Sequence, residues 1–293
     1  MGERLINIER TNEKKDGEPD RDVSIIDIIR HGETDYKEMT DPNFKFDPKS
    51  ADFKLDAEHL DLNEKGIANI IQSAHDLAGK IDKENEAVLF YTSPNFRAQS
   101  SALLITDILR KNGIQILGSD NGRVLNTLKQ IEIADQNLKT GWTAEYSKFL
   151  AEDSSHASWP MMKAHEEVAP RFGKKPQEVF GGSYQKAKEN FENFIRHMVN
   201  IRQQLSAETQ AMIGNKRIRV IAVTHEELPA QLLDEKMKHD QTLLRGQILE
   251  LRPDALIKSG QTTGVEAVIY AKGDQPDVKR NFSISFGKQS KAK

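Results

Sequence analysis

Two histidines and two arginines follow strand-like segments at three widely separated places in the sequence. Arg30 and His31 end one apolar segment, Arg97 lies shortly after a second, and His225 ends a third. A neutral imidazole is a competent nucleophile, and neighbouring guanidinium groups favour the neutral form because they disfavour a second cation. Guanidinium forks also bind phosphate oxygens in a bidentate manner. These residue types are therefore suited to phosphoryl transfer through a histidine.

Two further residues next to His31 are expected to contribute to phosphate binding. Gly32 would let the backbone approach a phosphate group closely, and a helix beginning near it would add free N–H groups. Thr34 would offer a hydroxyl group to the same oxygens. We therefore include Gly32 and Thr34 as candidate substrate-binding residues.

The elements that must position these residues can be read from hydrophobic patterning. Apolar, largely β-branched runs predict strands over residues 23–29, 87–91 and 218–223. Helical periodicity follows over residues 63–81, 95–111 and 184–205. Strands that alternate with helices predict an α/β fold with parallel strands, whose carboxyl ends meet at one edge of the sheet. The two histidines and two arginines should therefore converge at that edge.

The rest of the chain divides into segments of different character. We predict a polar N-terminal extension over residues 1–22, an α/β domain over 23–285 and a basic tail over 286–293. Residues 117–182 show no sustained period and are predicted to form an irregular insertion. This insertion could be a cap that reads the non-reacting part of a substrate, or simply a packed excursion.

Composition limits the classes of function. The chain has 293 residues, 42 basic and 45 acidic side chains, a formal net charge of -3 and no cysteine. A nearly balanced charge gives no field for nucleic acid, and the lack of cysteine excludes disulfides and thiolate chemistry. No segment approaches the roughly 18 apolar residues of a membrane span. We expect a cytoplasmic protein without nucleic-acid or membrane partners.

Four short motifs occur in order along the chain. They are Arg30–Thr34, Leu62–Gly66, Tyr91–Ala102 and Val223–His225. Together they resemble the histidine phosphatase superfamily, and in particular its phosphoglycerate-mutase-like branch. The resemblance implies a three-layer α/β/α sandwich with a mostly parallel central sheet. It also implies phosphorylation of His31, a phosphate clamp of Arg30 and Arg97, His225 as the second pocket histidine, and neither a metal nor an organic cofactor.

The proton donor is where this sequence departs from the family pattern. The branch carries an acid in a Leu-x-Glu-x-x-x-Gly segment, to which residues 128–134 are the nearest match. Direct alignment puts Gln130 at the acid position, whereas a two-residue shift puts Glu132 there. Acid-phosphatase-like relatives carry their donor just after the second histidine, where this chain has Glu226. We take Glu132 as the first candidate and keep Glu226 as the alternative.

These observations predict a phosphatase that hydrolyses a small phosphomonoester through a phosphohistidine at His31. Two other functions stay open. One is a mutase-type phosphotransferase, and the other is a catalytically impaired module that binds a phosphorylated ligand or a protein, which Gln130 would favour. The apolar face of the helix over 184–205 is expected to pack in the core, with a homodimer as the alternative.

Overall fold

The computed structural model describes most of the chain between its two ends. The described residues are 21–46, 57–118, 122–134, 136–159, 161–238, 242–258, 261–270 and 277–285. The tail at 286–293 and nearly all of the extension at 1–22 lie outside them. The predicted division into extension, domain and tail therefore stays a prediction.

The described residues contain one sheet and a set of helices. The strands are β1 (Ile25–Arg30), β2 (Glu86–Thr92), β3 (Ile116–Leu117), β4 (Arg123–Val124), β5 (Arg217–Thr224), β6 (Ile248–Pro253), β7 (Thr262–Ile269) and β8 (Val278–Ser285). The α-helices are α1 (Lys37–Thr40), α2 (Glu64–Lys80), α3 (Phe96–Lys111), α4 (Lys139–Glu152), α5 (Met161–Val168), α6 (Pro176–Phe180), α7 (Ser183–Val199), α8 (Ala207–Ile213) and α9 (Glu227–Leu232). Among these described helices, none is long and apolar enough to cross a membrane.

The sheet confirms the predicted α/β class. Its order is β3-β2-β5-β1-β6-β7-β8, and β4 also pairs with β2. The pairings on the β2, β5 and β1 side are parallel, whereas β6, β7 and β8 join as an antiparallel edge. Helices α2 and α3 pack on one face, and α7 and α9 pack on the other. The three-layer arrangement follows because β1 is buried along its whole length and must be covered on both faces.

Helix α2 begins where the sequence predicts and lies unusually close to the loop after β1. The side chain of Asn63 caps the helix by accepting a hydrogen bond from the Gly66 N–H at 2.9 Å. A Cβ atom at Gly66 would come within 2.0 Å of the Glu33 carbonyl oxygen, and one at Gly32 within 2.8 Å of the Gly66 carbonyl oxygen. This pair of glycines therefore lets the helix touch the loop that carries His31.

A buried ionic cluster lies in the middle of the sheet. Arg219 on β5 is 1% exposed and donates hydrogen bonds to Glu86 at 2.7 Å, Asp27 at 2.8 Å and Glu250 at 2.8 Å. The three carboxylates come from β2, β1 and β6, so the cluster ties four neighbouring strands together. Every nitrogen of the Arg219 guanidinium group has a hydrogen-bond partner, and the cluster lies away from the carboxyl ends of the strands.

The prediction of an irregular insertion over residues 117–182 is wrong for most of that segment. Helices α4, α5 and α6 pack around Trp142, Phe149, Val168 and Phe180, and we call residues 139–180 the helical excursion. The excursion has its own small core, in which many contacts join aromatic rings to one another. The sequence pattern does not predict these helices, because α5 and α6 are short and α4 has no regular apolar stripe.

Smaller differences concern boundaries. The long amphipathic helix ends at Val199 and continues as a 3₁₀ turn at Ile201–Gln204, so it is shorter than the predicted 184–205. Strand β8 is an addition to the predicted elements, because the consecutive polar residues Lys279, Arg280 and Asn281 interrupt its apolar pattern. A π-helical turn at Leu233–Met237 continues α9.

Candidate active site

The parallel register of three strands brings the candidate residues to one edge of the sheet. Arg30 pairs with Thr224, and Thr92 pairs with Val223, so β1, β2 and β5 end at nearly the same level. The His31 N–H donates to the Thr224 carbonyl oxygen at 3.0 Å, which continues the ladder by one residue. His31, Ser93 and His225 consequently follow their strands side by side.

The imidazole of His31 is buried, and its hydrogen bonding fixes its tautomer. Its Nδ1 lies 2.7 Å from the Gly32 carbonyl oxygen, which can only accept, so Nδ1 carries the proton. Burial, His225 and the guanidinium groups of Arg97 and Arg30 hold the pKa of His31 well below its usual value. The ring is therefore neutral, and Nε2 carries the lone pair that a nucleophile needs.

The second imidazole, His225, lies edge-on to the first. The two ring centres are 5.1 Å apart, and burial together with Arg97 and Arg30 holds the pKa of His225 well below its usual value. Its Nε2 lies 2.7 Å from the hydroxyl of Ser93, which in turn donates to the Asn95 side-chain oxygen at 3.1 Å. A serine that donates to Asn95 accepts from His225, so Ser93 orients this ring.

Both arginines are buried beside these rings, and each has donors without partners. The Nε of Arg30, and the Nε and Nη1 of Arg97, are buried and make no hydrogen bond. The rest of each group is held: Arg30 donates to the Leu243 carbonyl oxygen at 2.8 Å and pairs with Glu226 at 2.6 Å, and Arg97 donates to Gln130. Buried N–H groups are nearly always paired, so these unpaired donors form a ready-made anion site.

Two adjacent glutamates near the arginines differ in environment. Glu226 is ion-paired with Arg30. Glu227 has a buried Oε2 atom without a hydrogen-bond partner. Burial is the main cause that raises the pKa of Glu227 to about 7, and Glu226 raises it as well. A hydrogen bond from its own backbone N–H and the charges of Arg97 and Arg30 act in the opposite direction and lower it. Glu226 is thus held by Arg30, and Glu227 is suited to hold a proton near neutral pH.

The structure does not bring Glu132 into this cluster, which corrects the first choice of proton donor. Its side chain is 64% exposed and pairs with Lys129. Residues Leu128 and Gln130 face the site instead, because Thr224 donates to the Leu128 carbonyl oxygen at 2.8 Å and Gln130 accepts from Arg97. The direct alignment of the segment, without the two-residue shift, is the one that the geometry matches.

Gly32 and Thr34 also need correction, because their polar groups are used within the protein. The Gly32 N–H donates to the Ser101 hydroxyl at 3.0 Å, and its α-carbon packs on Gly66. The Thr34 hydroxyl donates to Asp61 at 3.3 Å and accepts from the Tyr36 N–H at 2.9 Å. Gly32 permits the packing of α2 and Thr34 shapes a loop, so the N–H group of Gly32 and the hydroxyl of Thr34 are already engaged within the protein.

Sequence reasoning missed several residues around the cluster. Tyr36 lies with its ring centre 5.4 Å from the Arg97 guanidinium carbon, and Glu38 lies 3.7 Å from Arg97 Nη1. Tyr146 of the helical excursion lies within electrostatic range of Arg30 and Glu226. Glu227 is a further missed residue, and it is the one among them with a local sequence signal, because it lies close to His225.

No metal site accompanies this cluster in the part of the chain that the structure describes. There, no three His, Asp or Glu side chains are grouped as a metal ion would require. The expectation that neither a metal nor an organic cofactor takes part stays a prediction.

Comparison with known proteins finds similarity only at the level of solved structures. No family model and no curated protein matches the chain. A phosphoglycerate mutase from Bacillus anthracis str. Sterne is 14% identical, with 79% of this chain and 89% of that chain covered and a TM-score of 0.42. A Hafnia alvei phytase in complex with tartrate is 10% identical, with 88% and 89% covered and a TM-score of 0.44. A phytase from Klebsiella sp ASR1 is 14% identical, with 90% and 89% covered and a TM-score of 0.37.

These TM-scores are low, so the description of the site rests on the geometry of this chain. All four motifs lie on one α/β/α sandwich, and Gly66 of the second motif contacts the loop of the first. The chain thus has the three-layer fold, with its motifs gathered at one sheet edge, that the resemblance to the histidine phosphatase superfamily implies.

Proposed function

We propose that this chain is a phosphatase that hydrolyses a phosphomonoester through a phosphohistidine at His31. The observation that carries the proposal is the set of buried, unpartnered N–H groups on Arg30 and Arg97 beside a neutral imidazole. Two guanidinium groups match the charge of a phosphate dianion, and their free donors match its oxygens. Nε2 of His31 is the atom left to attack phosphorus.

In the first step, Nε2 of His31 forms a bond to phosphorus while the bond from phosphorus to the ester oxygen breaks. Arg97 and Arg30 stabilise the charge on the transferring phosphoryl group, which spreads over its oxygens as the group loosens. His225, held by Ser93, completes the ring of polar groups around it. Water then attacks the phosphohistidine, which frees phosphate and restores His31.

The leaving oxygen needs a proton, and we propose Glu227 as its donor. Its carboxyl group is buried, interacts with both arginines and has a pKa raised to about 7 by burial, so a large fraction is protonated at neutral pH. Glu226 is the less suitable neighbour because its carboxylate is held in an ion pair with Arg30 at 2.6 Å. In the second step, the Glu227 carboxylate would act as base toward water.

Trapping the intermediate tests the nucleophile. Rapid acid-free quenching after mixing with ³²P-labelled para-nitrophenyl phosphate should leave label on His31, in the alkali-stable and acid-labile form typical of phosphohistidine. His31→Ala should carry no label. A binding module would hold phosphate without turnover, and a mutase would pass label to an added acceptor alcohol rather than to water.

Substrates with different leaving groups test the donor. Loss of a general acid lowers the rate by about 10²–10⁴ when the leaving group is a poor one. We expect Glu227→Gln to lower kcat/KM by that factor for an alkyl phosphate and only slightly for para-nitrophenyl phosphate. Glu132→Gln is the matched control and should change neither value. A Glu227→Gln enzyme with equal losses on both substrates would rule out this role.

A further inference from the structure

Two tyrosines from different parts of the fold lie near the arginines of the candidate site. Tyr36 follows β1 and lies against Arg97, with 5.4 Å between its ring centre and the guanidinium carbon. Tyr146 comes from α4, is half-buried, and lies within electrostatic range of Arg30 and of Tyr36 itself. With phosphorus at His31, the non-reacting part of the substrate would leave the cluster between these rings.

The conformation of Tyr36 fixes its ring in this place. Its backbone has φ 57° and ψ 42°, the left-handed region that non-glycine residues rarely adopt. The Tyr36 N–H donates to the Thr34 hydroxyl at 2.9 Å, and that hydroxyl is anchored on buried Asp61. Such strain persists only where surrounding contacts hold it, and it is common at ligand-binding sites.

The charges around this passage match one phosphate group and no further anion. Within the described residues, Arg30 and Arg97 are the cations that dominate the field at the two histidines and at Glu227. A bound phosphate dianion would already use both guanidinium groups. A second anionic group would instead lie near the Glu38 carboxylate, which is 3.7 Å from Arg97 Nη1.

From this arrangement, and resting on the proposed function, we infer that the substrate is a phosphomonoester with one phosphate on an uncharged, ring-shaped body. Planar rings pack well between the faces and edges of two tyrosines, whose hydroxyls can also bind polar substituents. Glu38 is the residue that we assign to the rejection of substrates with a second negative group. Its carboxylate is held in place by the Phe96 N–H, which donates to it at 2.9 Å.

Two aryl phosphates of almost equal shape separate charge from size. The 4-carbamoylphenyl and 4-carboxyphenyl phosphates differ only in an amide against a carboxylate at the far end of the ring. We expect kcat/KM to favour the amide by about tenfold or more, and the preference to shrink at high ionic strength because salt screens like-charge repulsion.

Variants then assign the preference to Glu38. Glu38→Gln should reduce the preference to about threefold or less, since it removes the like charge. Both substrates carry the same phosphate, so an effect of the variant on Arg97 cancels in the ratio. Asp35→Asn, an exposed change of equal charge on the same loop, is the matched control and should leave the ratio unchanged.

The possible results separate this inference from the proposed function. An amide preference that Glu38→Gln compresses supports the inference. Equal turnover of both compounds, or faster turnover of the carboxylate, overturns it, and His31-dependent labelling would then leave the phosphatase proposal standing. A lack of turnover of both compounds, with no label on His31, overturns the phosphatase proposal and the inference with it.

Discussion

Two buried arginines, Arg219 and Arg97, solve the problem of a buried charge in opposite ways. Arg219 is 1% exposed and is surrounded by the carboxylates of Asp27, Glu86 and Glu250, each within hydrogen-bond distance. Arg97 is 2% exposed, yet its Nε and Nη1 have no hydrogen-bond partner, and its nearest carboxylate is 3.7 Å away. The two side chains are about equally buried, but they differ in how many of their N–H groups have hydrogen-bond partners.

The difference separates structure from function. Burying an ion costs several kcal/mol unless partners compensate for the lost water. Arg219 receives that compensation from the protein and so holds four strands together. Arg97 receives it only in part, as the proposed phosphate site requires. An incompletely satisfied buried charge at a strand edge is therefore a better sign of a binding site than burial alone.

The largest expected effect is on stability, and it should fall on Arg219. Arg219→Met would leave the fully buried carboxylate of Asp27 without its cation and Glu250 with Arg252 alone. We expect the free energy of unfolding to fall by about 3–5 kcal/mol. Arg97→Met should change it far less, because its donors are mostly unpaired. Urea denaturation measures both values, and equal losses would remove the distinction between the two arginines.

The next effect is on ligand-linked stability, where the order is reversed. Phosphate at about 100 times its Kd stabilises a single-site protein by ~2.7 kcal/mol. We expect the wild-type protein to gain Tm in phosphate, and Arg97→Met to gain almost nothing. Chloride at equal ionic strength serves as the control for non-specific salt effects. An undiminished gain in Arg97→Met would place the phosphate elsewhere.

A pH profile sharpens the roles of the groups beside Arg97. A donor acts in its protonated form, and burial raises the pKa of Glu227 to about 7. For an alkyl phosphate, kcat/KM should therefore fall about tenfold per pH unit above that value. On the acidic side, burial holds the pKa of His31 well below its usual value, so the nucleophile stays neutral there. The alkaline decline should be absent in Glu227→Gln.

The smallest effect concerns the group that orients the second histidine. Ser93→Ala removes the 2.7 Å hydrogen bond to His225. A neutral hydrogen bond contributes about 1 kcal/mol, so we expect kcat/KM to fall about fivefold. Thr106→Ala, which removes a hydrogen bond to the Leu103 carbonyl oxygen within α3, should leave kcat/KM unchanged. A loss as large as that of His31→Ala would give Ser93 a direct part in the reaction.

The layers of the fold could be predicted because its central strands and helices have regular patterns. The runs that form β1, β2 and β5 are mostly apolar, and the Asn63 cap marks the start of α2. The arrangement of strand ends then follows from the topology of parallel sheets. The charge in β5 at Arg219 was also visible in the sequence, but its three partners come from separate strands.

Other features depend on contacts that the sequence does not encode locally. The helical excursion packs aromatic side chains among themselves and has no long apolar period. The choice between Gln130 and Glu132 depends on which residue faces Arg97, which only the fold decides. The sequence predicts ligand roles for Gly32 and Thr34, whereas Ser101 on α3 and the Tyr36 loop use their polar groups. Glu227 stands out only through its burial.

The central claim is that the unpartnered donors of Arg97 and Arg30 form the seat of a phosphoryl group beside His31. A crystal structure with orthovanadate tests it most directly, because vanadate adopts the geometry of phosphoryl transfer. We expect vanadium bonded to His31 Nε2, with its oxygens accepting from Arg97 Nε and Nη1 and from Arg30 Nε. Vanadate bound elsewhere, or at this edge without contact to either guanidinium group, would contradict the claim.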